Sequence, residues 1–178
     1  CVTGVQTVCS SDLLWHDTAI RLIGELEARN GSGWTEPGQR GPIVSSNSLM
    51  HLFEAMLAWC AAGAGDPFVR HARAIRTAVT GWLEQSSGGK LAEIIDPDTG
   101  RPMDAEHAQC WIPGHHYEWA FLLKWSAQLL GGSVTGQTER LVDVAERQGL
   151  SGTRVVLSQH LDGRPREARV RLWSQTER

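Results

Sequence analysis

The chain has 178 residues, 41% hydrophobic and 21% charged, enough for one ordinary domain with a core and inconsistent with wholesale disorder. Its net charge of −3 offers no electrostatic attraction to nucleic acid or an acidic membrane, and no apolar run approaches the ~20 residues of a membrane-spanning helix. Eight tryptophans stand against one tyrosine, and tryptophan serves both cores and the flat platforms on which sugars or bases stack.

The first thirteen residues start at Cys1, show no helical or strand period, and resemble the translation of a sequencing adapter. They are expected to be non-native and are set apart from the fold. Leu14 to Arg29 carries an apolar stripe at helical spacing, with Asn30-Gly31 as its stop. Gly31 to Ser46 reads as a long loop. Asn47 or Ser48 then caps a helix over Leu49 to Ala62 that is apolar nearly all round. Asp66-Pro67 opens another, Phe68 to Leu83. Ser86 to Ile112 is a second loop, with a strand at Leu91–Ile95 and a turn at Asp96-Pro-Asp-Thr-Gly100. Helices follow over His115–Leu130 and Thr135–Gln148, each closed by glycine. The period then changes to strand at Arg154–Ser158 and Ala168–Leu172, around an Asp162-Gly163 hairpin turn. Trp173 to Glu177 looks like a helix beginning. The whole is an all-α chain of helical hairpins with one small β-hairpin near its C-terminus.

The four cysteines, Cys1, Cys9, Cys60 and Cys110, form no CxxC pair and no zinc spacing. No secretory leader is visible, so the reducing cytoplasm is the expected compartment.

Chemistry gathers at Pro113-Gly-His-His-Tyr-Glu-Trp119. His115 falls in the first turn of a helix and Glu118 lies three residues on, so they share a face. An imidazole beside a carboxylate can move protons near neutral pH. A twin motif precedes it by 64 positions: His51-Leu-Phe-Glu54 against His115-His-Tyr-Glu118. A repeat of helical hairpins would set both on one rim. Several chemistries fit. Two His-x-x-Glu pairs are a reversed form of di-iron ligand pairs, though further carboxylate helices are lacking. Glu118 with Glu54 or Asp96 could form a glycosidase pair. His51 and Glu54 could simply satisfy one another. A His with a Glu partner also suits proton transfer at a carbon beside a carbonyl.

Three stretches in order resemble the N-acylglucosamine 2-epimerase superfamily of sugar epimerases and isomerases, which includes mannose isomerase. They are Asn47-Ser-Leu-Met-His-Leu-Phe-Glu-Ala55, Pro113-Gly-His-His-Tyr-Glu-Trp119, and Leu172-Trp-Ser-Gln-Thr-Glu177. The resemblance implies an (α/α)6 toroid with the sugar bound on the rim where long loops gather. It implies that His115 is one of two acid/base histidines, with Glu118 supporting it or the substrate. Asn47 and His51 would line the sugar site and Trp173 its wall, with His116 a bystander. The implied reaction takes the C2 proton of an open-chain aldose of mannose or N-acylglucosamine type, through an enediolate, with no metal or redox cofactor.

Two departures are plain: Ser174 stands where the family usually has proline, and Ser48-Leu49 replaces its common Pro-His. The family's second histidine belongs to a later helix and a substrate-holding arginine to an earlier one. Residues 14–178 are therefore expected to be a segment of one toroidal catalytic domain that does not turn over sugars alone, the full-length protein being a possible homodimer. The other readings are a toroidal glycoside hydrolase acting through Glu118 and a non-catalytic carbohydrate- or protein-binding module.

Overall fold

The computed structural model describes residues 10–30, 34–38, 41–167 and 169–178. It falls into two compact units, Cys1–Thr35 and Glu36–Arg178. The first holds helix α1, Ser10–Asn30, whose surface carries an Arg21–Glu25 pair at 2.7 Å, one turn apart. The helix begins four residues before the expected Leu14, because extending a formed helix costs far less than starting one. The segment set apart as non-native is thus helical from Ser10, while its residues 1–9 and the Gly31 stop lie outside the described residues.

The second unit is built on two helical hairpins. Helices α2 (Ser46–Ala61) and α3 (Phe68–Gln85) form one, α4 (Pro113–Leu130) and α5 (Thr135–Gln148) the other, and α2 packs on α4. Their facing stripes supply the core: Met50, Phe53 and Leu57 from α2, Phe68, Ile75 and Leu83 from α3, Trp119 and Leu123 from α4, and Leu141 from α5. These positions recur every three or four residues, as a buried helical face requires. Helix α2 is not buried all round, since Glu54, Ala55 and Ala58 are exposed. Its cap is neither Asn47 nor Ser48. Ser45, extended at φ −82°, accepts the Ser48 N–H on its Oγ at 3.3 Å. Asp66 is likewise not the cap of α3. Pro67 occupies that position without a side-chain hydrogen bond.

Part of the first expected loop is a hairpin, β1 (Glu36–Gly38) with β2 (Gly41–Ser45), and β2 also pairs antiparallel with β3 (Ile94–Ile95). Residues 31–33 and 39–40 of that stretch lie outside the described residues. The strand expected over Leu91–Ile95 pairs only in its last two residues. The Asp96 turn forms as read, with Oδ1 accepting the Asp98 and Thr99 N–H groups at 2.9 Å each.

The C-terminal strands differ from expectation. Arg154–Val155 (β6) folds back on Leu150–Ser151 (β5), while Ser158–His160 (β7) pairs with Pro165–Glu167 (β8) across the Asp162-Gly163 turn. On its other edge β7 meets β4 (Cys110–Trp111), so distant pairing rather than local propensity sets the strand ends. Ala168 lies outside the described residues, and 169–171 form no strand before helix α6 (Leu172–Glu177). Among the described residues there are six α-helices, the sixth being the one expected to begin at Trp173, and three small sheets where one hairpin was expected. No helix among them is long and apolar enough to cross a membrane.

Candidate active site

The first turn of α4 is stitched to the segment Lys90–Ile95 by both histidines, each to a different partner. His115, 7% exposed, has Nδ1 at 2.9 Å from both carboxylate oxygens of Glu93. Glu93 is fixed by its own backbone. Its N–H donates to the Cys110 carbonyl at 3.0 Å, and its carbonyl accepts the Ser46 N–H at the start of α2 at 2.8 Å. Ser46 Oγ in turn accepts the indole N–H of buried Trp119 at 3.0 Å. The carboxylate that reaches His115 thus rests on a junction of β4, α2 and α4. The hydrogen-bond partner of the His115 ring is Glu93 rather than Glu118. The sequence does mark Glu93, as the one charge in the apolar run Leu91-Ala-Glu-Ile-Ile95.

His116 faces the other way. It is 1% exposed, accepts the Leu91 N–H on Nε2 at 3.1 Å, and lies on the Trp111 ring with centroids 4.6 Å apart. Burial away from water pushes its pKa down to about 3, so the ring is a neutral structural acceptor. Lys90 caps the same stack, its ammonium 5.6 Å from the Trp111 centroid and donating to the Leu161 carbonyl at 2.8 Å.

Trp173, from α6, meets His115 edge-on at a centroid distance of 5.2 Å. The approach relies on Gly114: a Cβ there would lie 2.7 Å from the Trp173 ring and 3.1 Å from Ser174 Oγ.

The twin motif reaches the same place. His51 Nδ1 lies 3.8 Å from Glu118 Oε1 and 3.6 Å from Glu54 Oε2, so the two His-x-x-Glu motifs meet across α2 and α4. Glu118 is largely buried, and its Oε2 has no hydrogen-bond partner among the described residues. Burial first, and then the neighbouring Glu177, hold its carboxyl above the usual carboxylate range, while His51 and His115 act the other way. Asn47 lies one turn before His51 on α2, exposed. Asp96, the other candidate acid, spends Oδ1 on its own turn.

The sequence profile of the N-acylglucosamine 2-epimerase family matches residues 14–178. The chain belongs to this family. A mannose-6-phosphate isomerase of Rhizobium meliloti strain 1021 is 31% identical over 169 residues, 88% of this chain and 42% of that protein. A crystal structure of a D-mannose isomerase superposes with TM-score 0.72 at 19% identity, over 94% of this chain and 48% of the other. The fold is therefore the family's (α/α)6 toroid in part, its hairpins being α2/α3 and α4/α5. The chain spans about half the length of the relatives it matches.

Proposed function

We propose that the chain serves a sugar epimerase or isomerase in which His115 exchanges the C2 proton of an open-chain aldose. The observation that carries this reading is the His115–Glu93 contact. A carboxylate only accepts hydrogen bonds, so Nδ1 bears the hydrogen and Nε2 is the basic nitrogen. Removing the proton beside the carbonyl leaves an enediolate. Return of the proton at C1 gives the ketose, and return on the opposite face of C2 gives the epimer. The electrons stay within the sugar, so the step as written calls for no redox cofactor. Trp173 forms a wall against which a sugar face packs. Asn47, His51 and Glu118 supply polar contacts to its hydroxyls. The relatives' names support an aldose of mannose type, and N-acylglucosamine is the family's other substrate class. Residues 14–178 are assigned to one catalytic domain, and completing turnover falls to a second acid/base group beyond His115.

Deuterium exchange at C2 of mannose or N-acetylglucosamine in D2O tests this, because it needs only the first proton abstraction. Exchange by the wild-type chain that is abolished in His115→Asn is expected. Exchange that survives His115→Asn overturns the reading. Glycosidic cleavage lost in Glu118→Gln but kept in His115→Asn would make the protein a hydrolase, and sugar binding without exchange, indifferent to His115→Asn, a binding module.

A further inference from the structure

We propose that His51, Glu54 and Glu118 form a binding site for a divalent transition-metal ion of the zinc type, which competes with sugar for the same side chains. Each residue offers one ligand atom, and the three atoms lie within 4.8 Å of one another. His51 and Glu54 share a face of α2 at i and i+3, and Glu118 arrives from α4, so two packed helices present the set. With bonds of 2.0–2.2 Å, tetrahedral zinc wants its ligand atoms about 3.4 Å apart. His51 Nδ1 already stands 3.6 and 3.8 Å from the two carboxylates. The His51 and Glu54 side chains are 57% and 53% exposed, so small rotations close the set and leave the fourth position open to solvent.

Charge favours a cation as well. Two carboxylates face one imidazole, and Glu177 adds further negative potential at Glu118. The imidazoles of His51 and His115 act against it there. Glu118 meets His51 through Oε1, while its other oxygen, Oε2, is buried without a hydrogen-bond partner among the described residues. One nitrogen and two oxygens suit Zn2+ or Co2+ better than Mg2+, which keeps its waters. The ion is not a cofactor of the proton transfer described above. It ties up two side chains assigned to the sugar.

The test uses the tag-free, metal-free full chain without any sugar, so it stands or falls apart from the C2-exchange experiment. Calorimetric titration with Zn2+ should give one saturable site per chain, and Co2+ should give the visible absorption of a four-coordinate N/O site. Glu54→Gln and His51→Gln, both exposed, should each weaken binding by at least about tenfold, while His107→Gln leaves it unchanged. Equal thermal melting of the variants shows that the fold is intact. Absence of saturable binding overturns the proposal, as does binding indifferent to Glu54→Gln and His51→Gln. A near-ultraviolet thiolate–cobalt band, which would place the ion on cysteine, overturns it too.

Discussion

His115 Nδ1 stands 2.9 Å from both oxygens of a Glu93 whose own backbone is clamped between Cys110 and Ser46. The carboxylate fixes the ring's tautomer and its rotation together. On the proposed reading, with His115 as the base, Glu93 is its positioning residue. Glu93→Ala should lower C2 exchange by about 10- to 100-fold, with Glu93→Gln, which keeps a neutral acceptor, in between. Long-range 1H–15N NMR of the His115 ring should show hydrogen on Nδ1 in the wild type and a tautomer mixture in Glu93→Ala. Wild-type exchange in Glu93→Ala would refute the role.

The adjacent histidines should separate cleanly by what they damage. His116→Ala orphans the Leu91 N–H and should cost about 1–3 kcal/mol or more in a urea melt. His115→Asn should remove exchange at a much smaller cost in stability. The acid response carries a sign. The folded pKa of His116 is about 3, below the ordinary 6.5, so the unfolded chain takes up the proton first. Its contribution is whole above pH 6.5 and is lost as pH falls towards 3. Urea midpoints at pH 7 and 5 should drop by less in His116→Phe than in wild type.

Much of this was legible in the sequence because helices announce themselves locally. The α5 bounds, Thr135–Gln148, follow directly from its stripe and its terminal Gly149. The meeting of His51 with Glu118 follows from the repeated motif, since repeated hairpins place equivalent turns side by side. What escaped was non-local. Glu93 becomes a histidine partner only because Cys110 and Ser46, far away in sequence, hold its backbone. The Arg154–Ser158 run looks like one strand, but Arg154 and Val155 pair with β5, while Ser158 opens β7 and pairs with β8. Ser45 displaced Asn47 as the cap because β2 delivers it there extended, and a strand pairing is not read from composition.

Gly114 and Gly81 should respond to alanine in opposite directions. At Gly114 the added Cβ meets the Trp173 ring at 2.7 Å, so the indole must shift, at about 1–3 kcal/mol. At Gly81, inside α3, nothing lies within 4 Å, so alanine should stabilise by roughly 0.5–1 kcal/mol. Thermal midpoints report both. His115 ring resonances should move in Gly114→Ala alone, since Trp173 lies against that ring. Equal midpoints for the two variants would contradict the close approach.

Tyr117 is the only tyrosine in the chain, so its ionisation can be followed without ambiguity at 295 nm. Its hydroxyl donates to Glu146 Oε1 at 2.8 Å, and Arg178 holds the same carboxylate at 2.8 and 2.9 Å. Burial, then the hydrogen bond to Glu146 and its negative charge, push the phenol above its ordinary value, with Arg178 acting weakly against them. A raised acid contributes stability that is whole below the unfolded value near 10 and is lost as pH rises past it. The folded chain should therefore show little tyrosinate at pH 10, and the absorbance step should coincide with alkaline unfolding. Glu146→Gln keeps an acceptor but removes the charge, and should bring the step to lower pH. A free tyrosine-like step near 10 in the folded wild type would show that this hydrogen bond is absent in solution.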